Sequence, residues 1–113
     1  MEDCIFCKLA NGVIPTSLVY EDEFVSAFKD LNPQAPVHIL VVPKKHYENV
    51  LDVKDRDCII TKIYEAINKI AEKEGFAESG FRVINNCGKD AGQTVMHMHF
   101  HVIAGKNLGE NIV

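Results

Sequence analysis

One long stretch of the chain carries apolar residues at helical spacing. From Asp55 to Glu74, Ile59, Ile63, Ile67 and Ile70 fall on one face with Ala66 alongside, and Gly75 follows as a terminator. This predicts the single long helix. The same pattern puts Cys58 on its apolar face. A shorter helix is expected near the start, capped by Asp3, running through Phe6 and Leu9, and stopped at Asn11-Gly12 before Pro15. Elsewhere the period shortens to two. Ser17 to Tyr20 and Phe24 to Phe28 are short β-prone runs separated by Glu21-Asp22-Glu23, which reads as a hairpin. Val37 to Val42 is almost continuously apolar between Pro36 and Pro43, the mark of a strand buried on both faces, and only His38 interrupts it. Phe81 to Asn85 and Met98 to Ala104 are two further strands, joined by a turn-rich loop from Asn86 to Gly92. The expectation is an α+β fold in which an antiparallel sheet of about five strands is combined with one long and one short helix.

The last strand carries the chemistry. Its residues His97, Met98, His99, Phe100, His101, Val102 and Ile103 alternate, so the three histidines point to one face at intervals of roughly 7 Å while Met98, Phe100 and Val102 pack the other. Imidazole titrates near neutrality and serves as nucleophile, acid, base or metal ligand, which leaves covalent catalysis and a catalytic metal both open. A solvent-facing row of surface histidines is the bland alternative, and three in register speak against it.

Length and charge narrow the field. At 113 residues the chain fits one domain spanning 1–113, without a repeat or linker. No apolar run approaches the roughly 20 residues that cross a bilayer, and the acidic Glu2 and Asp3 do not resemble a signal peptide, so a cytoplasmic protein is expected. The net charge of -4 argues against nucleic acid or anionic lipid as a general partner. A phosphate ligand would have to be bound locally. There is no Walker-type loop, and the four cysteines are expected as reduced thiols.

The alternating triplet His97-Met98-His99-Phe100-His101-Val102-Ile103 resembles the motif of the histidine-triad (HIT) family. Asp30-Leu31-Asn32-Pro33-Gln34-Ala35-Pro36-Val37-His38, Val41-Val42-Pro43-Lys44-Lys45-His46 and Gly92-Gln93-Thr94-Val95 are similar to its Hint branch, in order and spacing. The resemblance implies a HIT-like fold and an attack by the middle histidine, His99, on the α-phosphorus of a nucleoside phosphoramidate or related purine nucleotide conjugate. A covalent nucleotidyl-histidine then forms and is hydrolysed. The carbonyl of His97 would fix the nucleophile's tautomer, His101 would donate to a phosphate oxygen, and Thr94 would assist the leaving amine. Asp30 would accept from the ribose hydroxyls, Phe6, Phe28 and Leu31 would line the base pocket, and Asn86, Gly92 and Gln93 would lie near the phosphate. On residue type alone the phenylalanines are equally ordinary core and Asp30 an ordinary turn residue. The family also implies a homodimer. This chain lacks the tryptophan that animal Hint-like tails carry, so its leaving-group preference is not carried over.

A second constellation is Cys4-x-x-Cys7, whose spacing lets two thiolates converge on one metal, although a redox pair or two unligated thiols fit the spacing as well. Zinc-bearing bacterial relatives imply a closed structural zinc held by Cys4, Cys7, His46 and His97. His38 would then stand beside the triad as a hydrogen-bond partner or be a satisfied core histidine. Other functions stay open. These are a Fhit-type dinucleoside polyphosphate hydrolase, a zinc metallohydrolase, and a nucleotide- or partner-binding module with vestigial activity.

Overall fold

A computed structural model describes residues 4–113. In it five antiparallel strands form one sheet: β1 (Leu18–Glu21), β2 (Val25–Lys29), β3 (Val37–Pro43), β4 (Phe81–Ile84) and β5 (Phe100–Ala104), in the order β1-β2-β3-β5-β4. The expected α+β class and strand number are met. Helix α1 (Ile5–Ala10) lies on one face, and α2 (Ile59–Glu74) covers the other.

Alternation along the strands builds these two layers. Val25, Ala27, Ile39, Val41, Phe100 and Val102 meet the buried face of α2, formed by Ile59, Ile63, Ala66, Ile67 and Ile70. On the opposite face Phe28, Leu40 and Val42 pack against Phe6 and Ala10 of α1. β3 reads as continuously apolar because both of its sides are covered. The α2 crossover joins β3 to β4 and leaves a gap between them that β5 fills, a split β-α-β arrangement. β5 therefore enters the sheet with its leading end next to β3, and that end carries the histidines. Among the described residues no helix is long and apolar enough to cross a membrane.

Several boundaries shift. The expected cap of α1, Asp3, lies outside the described residues; Cys4 occupies the N-cap position and its Sγ accepts from the Cys7 N–H at 3.3 Å. The long helix begins only at Ile59. Before it Asp55–Asp57 form a 3-10 turn, and Cys58 adopts the left-handed conformation (φ 52°) that separates the two. Cys58 is exposed rather than on the apolar face expected for it, because the helical periodicity begins only at Ile59. At the other end Gly75 (φ 84°) closes the helix as expected, donating to the Ala71 carbonyl. β4 stops at Ile84 rather than Asn85, and β5 starts at Phe100 rather than Met98.

Ile63 is fully buried between α2 and the sheet. Ile63→Ala is expected to cost about 2–5 kcal/mol of stability, through lost transfer energy and the cavity left behind. Urea denaturation checks this: the midpoint should fall with an unchanged slope.

Candidate active site and metal-ligand group

The three histidines do alternate to one face, but they do not all stand in the sheet. His101 belongs to β5, whereas His97 lies in a bend and His99 is the last residue before the strand. The expected strand from Met98 is corrected accordingly. One main-chain bond and one side-chain bond replace the ladder in this segment. The Met98 N–H donates to the Tyr47 carbonyl at 2.7 Å, and the Asn85 carboxamide donates to the His99 carbonyl at 2.9 Å.

Main-chain groups fix the protonation pattern of the rings. A carbonyl oxygen only accepts, so a ring nitrogen bonded to one carries the hydrogen, and in a neutral ring the other nitrogen keeps its lone pair. His97 Nε2 lies 2.9 Å from the Pro43 carbonyl, which leaves its Nδ1 as the lone-pair side. His99 Nδ1 lies 2.8 Å from the His97 carbonyl, which leaves Nε2 as the lone-pair side. His38 is read from the opposite direction. The Gln34 backbone N–H donates to its Nδ1 at 3.0 Å, so Nε2 bears the hydrogen and points at His101 Nδ1, 2.8 Å away. His101 consequently presents Nε2–H as a donor. His38 thus has a position beside the triad, on the same sheet face. Asp30 Oδ2 stands 3.4 Å from His38 Nε2, while Oδ1 accepts from the Asn32 N–H at 2.8 Å. Asp30, His38 and His101 lie close enough to be mistaken for a ligand set. The Gln34 N–H rules that out in this geometry, because it leaves His38 Nε2 without a lone pair for a cation. The group is a hydrogen-bond chain.

A cleft of about 360 Å³ opens over these rings. It brings together Phe6, Phe28, Asp30, Leu31, Thr94, His99 and His101 from the expected set. Phe6 stands edge-on to His99 at 5.0 Å and to Phe28 at 5.7 Å, so one ring serves both the cleft wall and the α1 interface. Asn86, Gly92 and Gln93 are not among the lining residues. Gln93 is buried, and its carboxamide is engaged by the main chain: it accepts from the Gly88 N–H at 2.9 Å and donates to the carbonyls of Glu48 at 2.7 Å and Val95 at 3.0 Å. It closes the loop that delivers Thr94. Sequence reasoning missed the apolar wall of Ile5, Leu9, Leu40 and Val95, which only the packing of α1 onto the sheet assembles. It also missed Asn85, whose partner is a main-chain carbonyl and leaves no sequence signature.

On the other side of His97, Cys4, Cys7, His46 and His97 place their ligand atoms within 4.8 Å of one another. Cys4 Sγ lies 3.2 Å and Cys7 Sγ 3.3 Å from His97 Nδ1, and Cys7 Sγ lies 3.2 Å from His46 Nδ1. The lone pair of His97 faces both sulfurs, so the donor set suits a metal ion. Burial, reinforced by Cys4, pushes the Cys7 thiol up to about 11, so without a cation Cys7 stays protonated. A bound cation would reverse that and release protons.

A row of imidazoles at the mouth of a five-stranded sheet, with a lone pair and an N–H donor side by side, is the layout of a histidine-triad fold. The HIT domain family profile matches residues 11–108. The chain is 41% identical over 109 residues to the purine nucleoside phosphoramidase of Escherichia coli K12, covering 96% of this chain and 92% of that protein. Among solved structures, a histidine triad protein from Clostridium difficile superposes with a TM-score of 0.94 at 58% identity, covering 98% of this chain and 97% of the other. A HIT family hydrolase from Legionella pneumophila gives 0.90 at 41% identity, covering 95% and 96%. The chain belongs to the HIT family.

Burial pushes His97 down to about 4, helped by His46 and His99 and opposed by the Pro43 carbonyl; burial, with His99 and His38, also lowers His101. In the unfolded chain a histidine titrates near 6.5, so the unfolded state takes up protons first as the pH falls. The contribution of His97 to the stability of metal-free protein is therefore fully present above pH 6.5 and is lost as the pH drops from 6.5 towards 4. Urea midpoints of chelator-treated protein measured from pH 7.5 to 5 should fall steadily, and His97→Asn should flatten the slope.

Proposed function

We propose that this protein is a nucleotide hydrolase that cleaves purine nucleoside 5'-phosphoramidates, or related conjugates, at the α-phosphate through a covalent intermediate on His99. One observation carries the reading: the His97 carbonyl holds the hydrogen on His99 Nδ1, which frees Nε2 as a nucleophile at the cleft. Nε2 attacks the α-phosphorus, a new P–N bond forms, and the bond to the leaving amine breaks as Thr94 offers its hydroxyl to the departing nitrogen. His101 Nε2–H donates to the non-bridging oxygen, whose charge grows in the transition state. Water then displaces His99 and releases the nucleoside monophosphate. One difficult displacement becomes two easier ones. Asp30 would take the ribose hydroxyls and the Phe6–Phe28 wall the base, with Leu31 at its rim. Asn86 and Gly92 would border the phosphate, and Gln93 would contribute by holding Thr94 in place. The likeness to the E. coli purine nucleoside phosphoramidase supports this choice of substrate class.

The ligand group is assigned to one structural zinc per chain, held by Cys4, Cys7, His46 and His97. A tetrahedral zinc with Zn–S near 2.3 Å and Zn–N near 2.0 Å has S···N edges of about 3.5 Å. The observed separations of 3.2 to 3.3 Å are close to that. Four protein ligands leave no open position for a substrate, and when bound the ion supplies a cross-link rather than Lewis-acid chemistry. The half-buried edge strand β4 supports a homodimer formed by edge pairing. We place the protein in the cytoplasm.

His99→Ala is expected to lower turnover of an adenosine 5'-phosphoramidate by about 10³-fold or more while leaving the fold intact. The wild type should gain the mass of a nucleotidyl group after brief exposure to substrate, and the variant should not. Full activity in the variant would sink the mechanism.

Metal content tests the second site. Elemental analysis should find one zinc per chain, and Cys4→Ser should lose it together with several degrees of melting temperature. Chelated wild type that retains its full melting temperature would remove the cross-linking role.

A further inference from the structure

We infer that Asn85 is a positioning residue for His99, holding the main chain of the proposed nucleophile at the point where the sheet ends; the inference rests on the hydrolase reading above. The first paired residues of β5 are Phe100, opposite Val41 of β3, and His101, opposite Ile84 of β4. His99 is thus the first residue outside both ladders. β4 also ends here, at Ile84, and the chain turns away into the loop that carries Thr94. At the departure point the Asn85 carboxamide reaches across and donates to the His99 carbonyl at 2.9 Å. A side chain continues the interstrand bonding where the main chain has left.

This bond matters because of what it pins. The ring of His99 projects from a Cα whose orientation is set by the two flanking peptides. The Met98 N–H, bonded to the Tyr47 carbonyl at 2.7 Å, anchors the peptide one residue upstream, and of the two flanking peptides the outgoing one is held through the His99 carbonyl by Asn85. The ring itself is tied by Nδ1 to the His97 carbonyl at 2.8 Å and flanked by Phe6 at 5.0 Å and His101 at 5.2 Å. Without Asn85 the outgoing peptide can tilt, and the tilt swings Nε2 relative to a phosphorus held by the rest of the cleft. A misplacement of about 1 Å at a reacting atom costs on the order of 10²-fold in rate. Asn85 itself does not line the cleft, so its removal does not strip a contact from the nucleotide. Asparagine supplies what the position needs. It offers an N–H donor to a carbonyl, whereas an ionised aspartate of the same shape offers only acceptors.

The experiment compares Asn85→Ala and Asn85→Asp with wild type and His99→Ala, using an adenosine 5'-phosphoramidate as substrate and adenosine 5'-monophosphate as a binding probe. Both Asn85 variants are expected to lose about 10-fold to 100-fold in kcat and in the single-turnover rate of nucleotidyl-enzyme formation. The Kd of the monophosphate should stay within about threefold of wild type, since only the transition-state alignment is disturbed. Asn85→Asp, which preserves shape, covers the case in which the alanine variant folds poorly. If kcat is retained while the melting temperature falls, Asn85 only packs the strand end and the inference is overturned. It is equally overturned if kcat and monophosphate affinity collapse together, which would mean a deformed cleft. An active His99→Ala would instead overturn the covalent mechanism, and the two failures are thereby separated.

Discussion

The site depends on one kind of bond, an imidazole N–H given to a main-chain carbonyl. Two of these stand in series: His97 to Pro43 at 2.9 Å and His99 to His97 at 2.8 Å. Each decides which nitrogen keeps its lone pair, and the two lone pairs meet different neighbours. That of His97 looks at two sulfurs, and that of His99 looks towards the cleft. Because a carbonyl cannot donate, this division of labour is set by the backbone and needs no charged partner. The third ring is set differently. An amide N–H from Gln34 fixes His38, and His38 in turn makes His101 a donor. A lone pair and an N–H donor are thus produced side by side from chemically identical side chains, through opposite kinds of main-chain contact.

The proposed metal and the proposed chemistry share His97, and this explains why the N-terminal helix is part of the site. α1 is only six residues long, too short to be stable by its own hydrogen bonds. Its apolar contacts with Phe28, Leu40 and Val42 form the smaller of the two clusters. The Ser26 hydroxyl adds a bond to the Ala10 carbonyl at 2.8 Å, and the Asn11 carboxamide one to the Lys44 carbonyl at 3.0 Å. A metal held by Cys4, Cys7, His46 and His97 would tie this helix to the segment after β3 and to the segment of the proposed chemistry at once. Phe6, which walls the cleft against His99, would be fixed by the same tie.

Much of this was legible because it depends on periodicity. The two-sided burial of β3, the isoleucine face of α2 and the alternation of the last strand all follow from spacing alone, and so did the odd histidine at position 38. The family resemblance supplied the pairing of Cys4 and Cys7 with His46 and His97. What escaped was contact with the main chain. The start of α2 was misplaced because a left-handed residue at Cys58 breaks the helix with no glycine or proline to announce it. The beginning of β5 was misplaced because alternation of side chains persists in an extended segment whether or not the ladder does. Gln93 was grouped with the phosphate contacts by position, and only coordinates reveal that its carboxamide is spent on the carbonyls of Glu48 and Val95. Asn85 is expected as the last residue of a strand that ends instead at Ile84, and its bond to the His99 carbonyl has no pattern to betray it.

The departure of His97 to His99 from the ladder is best understood as a geometric requirement. A residue inside an antiparallel sheet has its side chain directed perpendicular to the sheet at fixed spacing, and three such rings would stand about 7 Å apart. Instead the ring centroids of His99 and His101 are 5.2 Å apart, and His97 turns its lone pair towards the N-terminal helix. A bend just before the strand allows both. The loss of regular main-chain pairing must be made good, since a buried carbonyl or amide left unbonded is costly. Tyr47 and Asn85 supply partners for the Met98 N–H and the His99 carbonyl, and the Pro43 carbonyl holds the His97 ring. The segment that carries the proposed chemistry is therefore held by contacts from around the site, and its alignment is sensitive to residues that never meet the substrate.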